Sequence, residues 1–309
     1  MLAAMTNSTL LAALALSTSL LACTDDATPQ PEALALPGSA YYPESITADA
    51  HGTLYVGSLT TGQVVAFDNG KTDSRTVVAA GAAGVTGETG VLIHGDELWL
   101  CSVDTTFQRP TEIRSFALDG TPKATYPLAA NQFCNDIAFD DHGTLYATDS
   151  FSGNIVTIAD GAATSFVQDA RFVPASQGAF GLDGIVYDGH GALYVNKLDT
   201  GNLFKVDLAS KAITEIAVTP PLAGPDGMRL VDDHTLLVIE GQAGRLSRVT
   251  IAASRSSATA TPLATDLDQP TGVVQARGTA WVSEGQLGRL FAQPAQAPNL
   301  PFAVRRVDL

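Results

Sequence analysis

The chain has 309 residues, 32 Asp+Glu against 17 Lys+Arg for a formal charge of −15 at pH 7, and 45% hydrophobic residues. That much apolar material excludes disorder as the main state, and the acidic balance excludes a nucleic-acid partner, because phosphate binding draws on clustered Lys and Arg. Short runs of Val, Ile, Thr and Leu punctuated by Gly and Pro along the whole length point to many short strands, an all-β class.

The first predicted segment is an address. Leu10 to Ala22 is apolar except for Ser17, Thr18 and Ser19, too short to span a bilayer and placed where a secretory h-region sits. It ends in Leu20-Leu21-Ala22-Cys23, which resembles the lipobox of bacterial lipoproteins, although Met1 to Ser8 carries no Lys or Arg. The resemblance implies a lipoprotein-type signal peptide over 1–22, a lipidated Cys23 opening a polar, Pro-containing tether over 23–40, and one folded domain over 41–309. An ordinary cleaved signal peptide with an incidental Cys is the alternative. Either way the chain leaves the cytoplasm, and the lipid would anchor it in the bacterial cell envelope.

The folded part is a repeat. A strand-like triad recurs at Leu54-Tyr55-Val56, Leu98-Trp99-Leu100, Leu145-Tyr146-Ala147, Leu193-Tyr194-Val195, Leu236-Leu237-Val238 and Ala280-Trp281-Val282, at spacings of 44, 47, 48, 43 and 44 residues. A period of about 45 residues is that of one four-stranded propeller blade, so six copies predict a six-bladed β-propeller filling the chain beyond the first 22 residues. In the third copy the expected order is an inner strand Asn135 to Phe139, a turn Asp140-Asp141-His142-Gly143, a second strand Thr144 to Thr148, a third Ile155 to Ile158 and an outer strand Ala162 to Val167. Asp49-Ala50-His51-Gly52 and Asp188-Gly189-His190-Gly191 repeat that turn. The closing strand falls within Phe302 to Leu309, and the sequence leaves open whether Ala33 to Leu36 also joins a blade.

Nine or ten residues upstream of each triad stand Glu44, Thr89, Asn135, Asp183, Asp226 and Thr271. Inner strands line the axis of a propeller, so these six share one register around its mouth. Glu44, Asn135, Asp183 and Asp226 bring carboxylate or carbonyl oxygens with no thiolate or imidazole, a donor set that suits Ca²⁺ or another hard divalent cation.

The motifs Pro43-Glu44-Ser45, Phe133-Cys134-Asn135-Asp136, Leu182-Asp183-Gly184-Ile185 and Pro225-Asp226-Gly227-Met228 resemble the metal-ligand motifs of the gluconolactonase, senescence-marker-protein and luciferin-regenerating-enzyme family of six-bladed propellers, and more distantly those of the paraoxonase and diisopropylfluorophosphatase group. The resemblance covers about Tyr42 to Leu309. It implies a divalent-metal hydrolase of lactones, esters or phosphotriesters, with Glu44, Asn135, Asp183 and Asp226 as metal ligands, Asn135 also orienting substrate, and Asp226 also the general base. Two departures bear on substrate. Asp183 stands where the family often has Asn, and Phe133-Cys134 stands where sugar-lactone members commonly carry Arg, which favours a more apolar lactone or ester.

The remaining polar residues divide by strand end. All five histidines, His51, His94, His142, His190 and His234, fall in or beside the turn at the far end of the inner strand, which argues against His-ligated zinc and a Ser-His-Asp triad. Asp149, Glu240 and Glu284 close second strands on the ring's own face, as groups that support the ring residues, as substrate contacts or as solvated loop acids. Cys101 and Cys134 are expected as two buried free thiols, with a bridge open to them if their Cα atoms approach within about 7 Å. The expected ligand is a small-molecule lactone or ester bound by a monomer. The rival reading is a non-catalytic, calcium-stabilised propeller that binds a small molecule or a protein.

Overall fold

The computed structural model describes residues 30–309; the proposed signal peptide, Cys23 and the tether as far as residue 29 lie outside the described residues. Strand β1 (Ala33–Ala35) opens the described chain. Then β2 (Pro43–Ala48), β3 (Leu54–Ser58), β4 (Val64–Phe67) and β5 (Arg75–Val78) form one antiparallel sheet in chain order. The same meander repeats in β6 (Gly87–His94), β7 (Glu97–Val103), β8 (Glu112–Ala117) and β9 (Pro122–Pro127). It repeats again in β10 (Cys134–Phe139), β11 (Leu145–Asp149), β12 (Asn154–Ala159) and β13 (Ala162–Gln168).

The next two meanders are β14 (Leu182–Tyr187), β15 (Ala192–Lys197), β16 (Leu203–Asp207) and β17 (Ile213–Thr219), followed by β18 (Pro225–Asp232), β19 (Thr235–Glu240), β20 (Arg245–Ile251) and β21 (Ser257–Ala264). Their outer strands pair in parallel, Ala217 to Thr219 against Ser257 to Thr259, so the two sets make one eight-stranded sheet where separate four-stranded sheets were expected. Strand β17 runs on past its pairing with β16, and its last residues meet the free edge of β21. The last sheet joins β22 (Pro270–Ala276) and β23 (Thr279–Glu284) to β24 (Ala303–Val307) and, outermost, to β1, with Leu34 opposite Val304. The two ends of the described chain are therefore stitched into one sheet, which answers the question about Ala33 to Leu36.

The first strands of the sets, β2, β6, β10, β14, β18 and β22, each contact the next, and β22 contacts β2, closing a ring. Six apolar layers lie between consecutive sets; one combines Tyr55, Val64, Val91, Leu98 and Phe116, and the layer across the closure holds Ile46, Val56, Phe67, Trp281 and Phe302. Each second strand is thus covered on both faces, which is why the triads read as continuous apolar runs rather than alternating ones. At about 1.5–3 kcal/mol per large side chain these layers supply the main stabilisation.

At the far end of the inner strands Asp49, Asp140 and Asp188 each accept two backbone N–H groups of the turn that follows, from His51 and Thr53, from His142 and Thr144, and from His190 and Ala192. These are Asx turns, with Gly52 and Gly143 at φ +79° and +78°. All five histidines are exposed, as their turn positions predict.

Cys101 and Cys134 form a disulfide with Cα atoms 5.4 Å apart, in place of the expected free thiols. Strand β7 faces the start of β10 across one apolar layer, and that packing brings the two sulfurs together. Among the described residues no helix is long and apolar enough to cross a membrane.

Candidate functional site

Each inner strand carries a β-bulge at the predicted ring position, between Pro43 and Ile46, Glu88 and Val91, Cys134 and Ile137, Leu182 and Ile185, Pro225 and Met228, and Pro270 and Gly272. A bulge turns the extra residue out of the ladder. All six predicted residues, Glu44, Thr89, Asn135, Asp183, Asp226 and Thr271, line one open cavity of about 520 Å³ and the narrow space of about 10 Å³ beneath it. The glycine after several of them lets the strands approach: a Cβ on Gly184 would lie 2.7 Å from the Asp226 carbonyl oxygen, and one on Gly227 2.7 Å from that of Thr271.

The two threonines are structural. Thr89 Oγ1 donates to the Cys134 carbonyl at 2.9 Å and Thr271 Oγ1 to the Pro43 carbonyl at 3.0 Å, each tying one inner strand to its neighbour. The four oxygen donors form the floor. Asn135 Nδ2 donates to Asp183 Oδ2 and to Ser150 Oγ, both at 3.0 Å, which leaves its carbonyl oxygen free of that network. Asp226 Oδ1 accepts the Gly227 N–H at 2.8 Å. Glu44 is only 7% exposed, and its carboxyl has no hydrogen-bond partner among the described residues.

Electrostatics follow from this crowding. Burial, then the negative charges of Asp226, Glu88, Asp183 and Asp136, hold the Glu44 carboxyl well above the usual range. Burial and the charges of Asp226 and Asp136 do the same to Asp183, and burial pushes Asp226 up to about 7. Among the described residues no three His, Cys, Asp or Glu side chains are grouped closely enough to hold a metal ion as they stand. The chemistry of the donor set nonetheless fits a hard divalent cation: four oxygen donors from four strands meet one space, one of them a buried carboxyl with nothing to bond.

Beneath the floor lies a pair that sequence reasoning missed. Arg229 Nη1 donates to Asp136 Oδ2 at 3.1 Å and to the Met228 carbonyl at 2.7 Å, while Nη2 reaches the Ile46 carbonyl at 3.4 Å. The guanidinium therefore links the first, third and fifth inner strands, which can meet only at the axis. Its signal was present: Arg229 is the one Lys or Arg on the six inner strands. Glu88 was missed as well. It stands where the other five strands have Pro43, Cys134, Leu182, Pro225 and Pro270, is fully buried over Gly57, and neither carboxyl oxygen has a partner among the described residues. Burial, followed by the charge of Asp136, raises its pKa well above the usual value.

Asp149, Glu240 and Glu284 are supporting groups behind the ring rather than solvated loop acids. They are buried and each accepts the backbone N–H two residues upstream of, or next to, an inner strand: Phe133 to Asp149, Ala223 to Glu240 and Asp268 to Glu284. Glu240 is also held by Arg245 at 2.8 and 2.7 Å, and Glu284 by Arg305 at 3.0 and 3.1 Å. These acids fix the loops that lead into the ring. No histidine lines either cavity.

Above the floor the wall is apolar. Phe107, Phe133 and Phe180 line one side, in a cluster with Phe151 whose ring centroids lie 5.0–6.1 Å apart, and Leu287 and Phe291 lie among the other lining residues. Phe107 is 54% exposed and sits at φ +56°, an uncommon place for a bulky residue. Gln242 and Gln269 also line the cavity.

No family model matches the sequence. No curated protein matches it either. Solved structures do. The allergen Mala s 1 of Malassezia sympodialis aligns with a TM-score of 0.71 at 13% identity, over 91% of this chain and 97% of that one. A luciferin-regenerating enzyme aligns at 0.63 and 14%, over 91% and 96%. Virginiamycin B lyase of Staphylococcus aureus aligns at 0.62 and 14%, over 90% and 98%. At these identities the likeness shows the fold, a β-propeller, and nothing finer.

Proposed function

We propose that the protein is a six-bladed propeller hydrolase of an apolar lactone or ester, dependent on Ca²⁺ or another divalent cation. The eight-stranded sheet counts as two blades joined at their rims. The observation that carries the reading is Glu44, a buried and unpaired carboxyl facing the same space as Asn135, Asp183 and Asp226 at the bottom of an apolar-walled cavity. These four residues would hold the cation, whose chemistry when bound is to polarise the substrate carbonyl.

The chain's own residues supply the rest. Phe133 and Phe180 exclude water from the apolar part of the substrate and orient it. Asn135 offers its carbonyl oxygen to the cation or its amide to a substrate oxygen. Asp226 takes a proton as the oxygen of water bonds to the acyl carbon; the acyl carbon–oxygen bond then breaks, and the proton passes to the departing alkoxide. Asp226→Asn should abolish turnover while retaining much of the metal affinity, and Glu44→Gln should weaken metal binding itself. Wild-type turnover by Asp226→Asn would remove Asp226 as the base.

A second reading, a non-catalytic propeller that binds a small molecule, is favoured by one observation. Asp183 is engaged with Asn135 and Asp226, and the floor carboxyls are not gathered around a point with Glu44. Calcium would then raise the melting temperature by linkage without any turnover. Export with a lipid on Cys23 is proposed alongside either reading, and the Cys101–Cys134 bridge supports an oxidising compartment.

A further inference from the structure

The charged side chains that line the cavity are all acidic. Its floor carries Glu44, Asp183 and Asp226, and among the described residues no Lys, Arg or His lines it. Three basic residues next in sequence or nearly so to lining residues are each committed to an acid: Arg109 to Asp104 at 3.6 Å, Lys197 to Asp199 at 3.2 Å and Arg289 to Asp268 at 3.7 Å. The one cation beneath the floor, Arg229, is committed to Asp136. An anionic ligand would meet carboxylates with no counter-charge, in a chain whose formal charge is −15.

The walls add a second selection. Phe107, Phe133 and Phe180 present aromatic rings to the same space, and ring faces attract positive charge while packing apolar groups. Glu44, 7% exposed and without a hydrogen-bond partner, is a buried acceptor aimed into the cavity that only a ligand or water can satisfy. A volume of about 520 Å³ accommodates a small organic molecule.

We propose that the cavity takes a hydrophobic organic cation, with an ammonium or quaternary-amine head toward Glu44, Asp183 and Asp226 and an apolar body against Phe107, Phe133 and Phe180. The inference deepens the hydrolase reading, naming its substrate class as an ester or lactone with a positively charged amine, and it rests on that reading in taking this cavity as the substrate site.

Three probes of one shape test it by calorimetry with and without calcium: benzyltrimethylammonium, its uncharged carbon isostere neopentylbenzene, and anionic phenylacetate. The cation should bind at least about ten-fold more tightly than the isostere, and phenylacetate should not bind. Glu44→Gln should cost the cation about ten-fold and leave the isostere unchanged, and Phe107→Leu, at an exposed site, should weaken the cation more than the isostere. Equal affinity for cation and isostere, or binding of phenylacetate, overturns the inference, and the wild-type series decides it even where a variant misfolds. Hydrolysis of phenyl acetate against 4-(trimethylammonio)phenyl acetate separates the two readings. Selective binding of benzyltrimethylammonium without turnover of either ester removes the hydrolase and keeps the organic cation. Turnover of both esters with no preference for the charged one keeps the hydrolase and removes the organic cation.

Discussion

Replacing Arg229 by Met keeps the unbranched stem and removes the guanidinium from the axis. The Arg229 and Asp136 side chains are only 14% and 6% exposed, so the variant leaves Asp136 buried with two backbone donors, Ile137 N at 2.9 Å and Ile185 N at 3.4 Å, and no counter-charge. Removing one partner of a buried pair costs about 3–5 kcal/mol, which for a domain of this size lowers Tm by on the order of 10 °C. The double variant Arg229→Met with Asp136→Asn removes both charges and should recover most of the loss, giving a coupling of at least about 1.5 kcal/mol in a double-mutant cycle by urea denaturation. The third and fifth inner strands joined by this pair also carry Asn135 and Asp226, so the single variant should lose cavity ligands as well. A single variant within about 1 kcal/mol of wild type would show that the ion pair does not hold the ring's centre, and the account of the floor resting on it would fail.

Burial raises the Glu88 carboxyl above its unfolded value, so the folded state binds the proton more tightly, and stability falls as pH climbs from the unfolded toward the folded pKa. Glu88→Met, apolar like its counterparts on the other inner strands, should therefore raise Tm at pH 8 more than at pH 4; a loss at pH 8 would mean the carboxyl has a stabilising partner there. Replacing Cys101 and Cys134 by Ser opens a bridge of sequence separation 33 and should cost about 3–4 kcal/mol in chemical denaturation. Because Phe133 and Asn135 flank Cys134, ligand binding should weaken in the same variant, whereas unchanged stability would mean the bridge is not formed in solution.

Much of this fold was legible because the repeat states it six times. The triads located every second strand, and residues nine or ten upstream found the ring, since inner strand, turn and second strand have nearly constant length in every set. The rim pairing of β17 with β21 had no such signal: it depends on how far two outer strands extend, which neither periodicity nor turn chemistry specifies. Asp149, Glu240 and Glu284 were readable as acids at strand ends, but their partners are backbone N–H groups and arginines brought near only by folding. Arg229 and Glu88 broke the pattern of their strands, Arg229 as the lone Lys or Arg and Glu88 as an acid among apolar counterparts. The departure at Arg229 thus marked the axis itself. The disulfide was decided by the distance between neighbouring sheets, a tertiary quantity that sequence spacing does not contain.

The proposed function stands on cation-dependent hydrolysis at the ring. The direct measurement is turnover of a panel of lactones, aryl esters and one phosphotriester by the purified protein, with added Ca²⁺ and with EDTA. Hydrolysis of apolar members should appear with calcium, vanish with the chelator and be absent in Asp226→Asn. A flat panel from folded protein whose Tm calcium still raises would contradict it and leave a binding propeller.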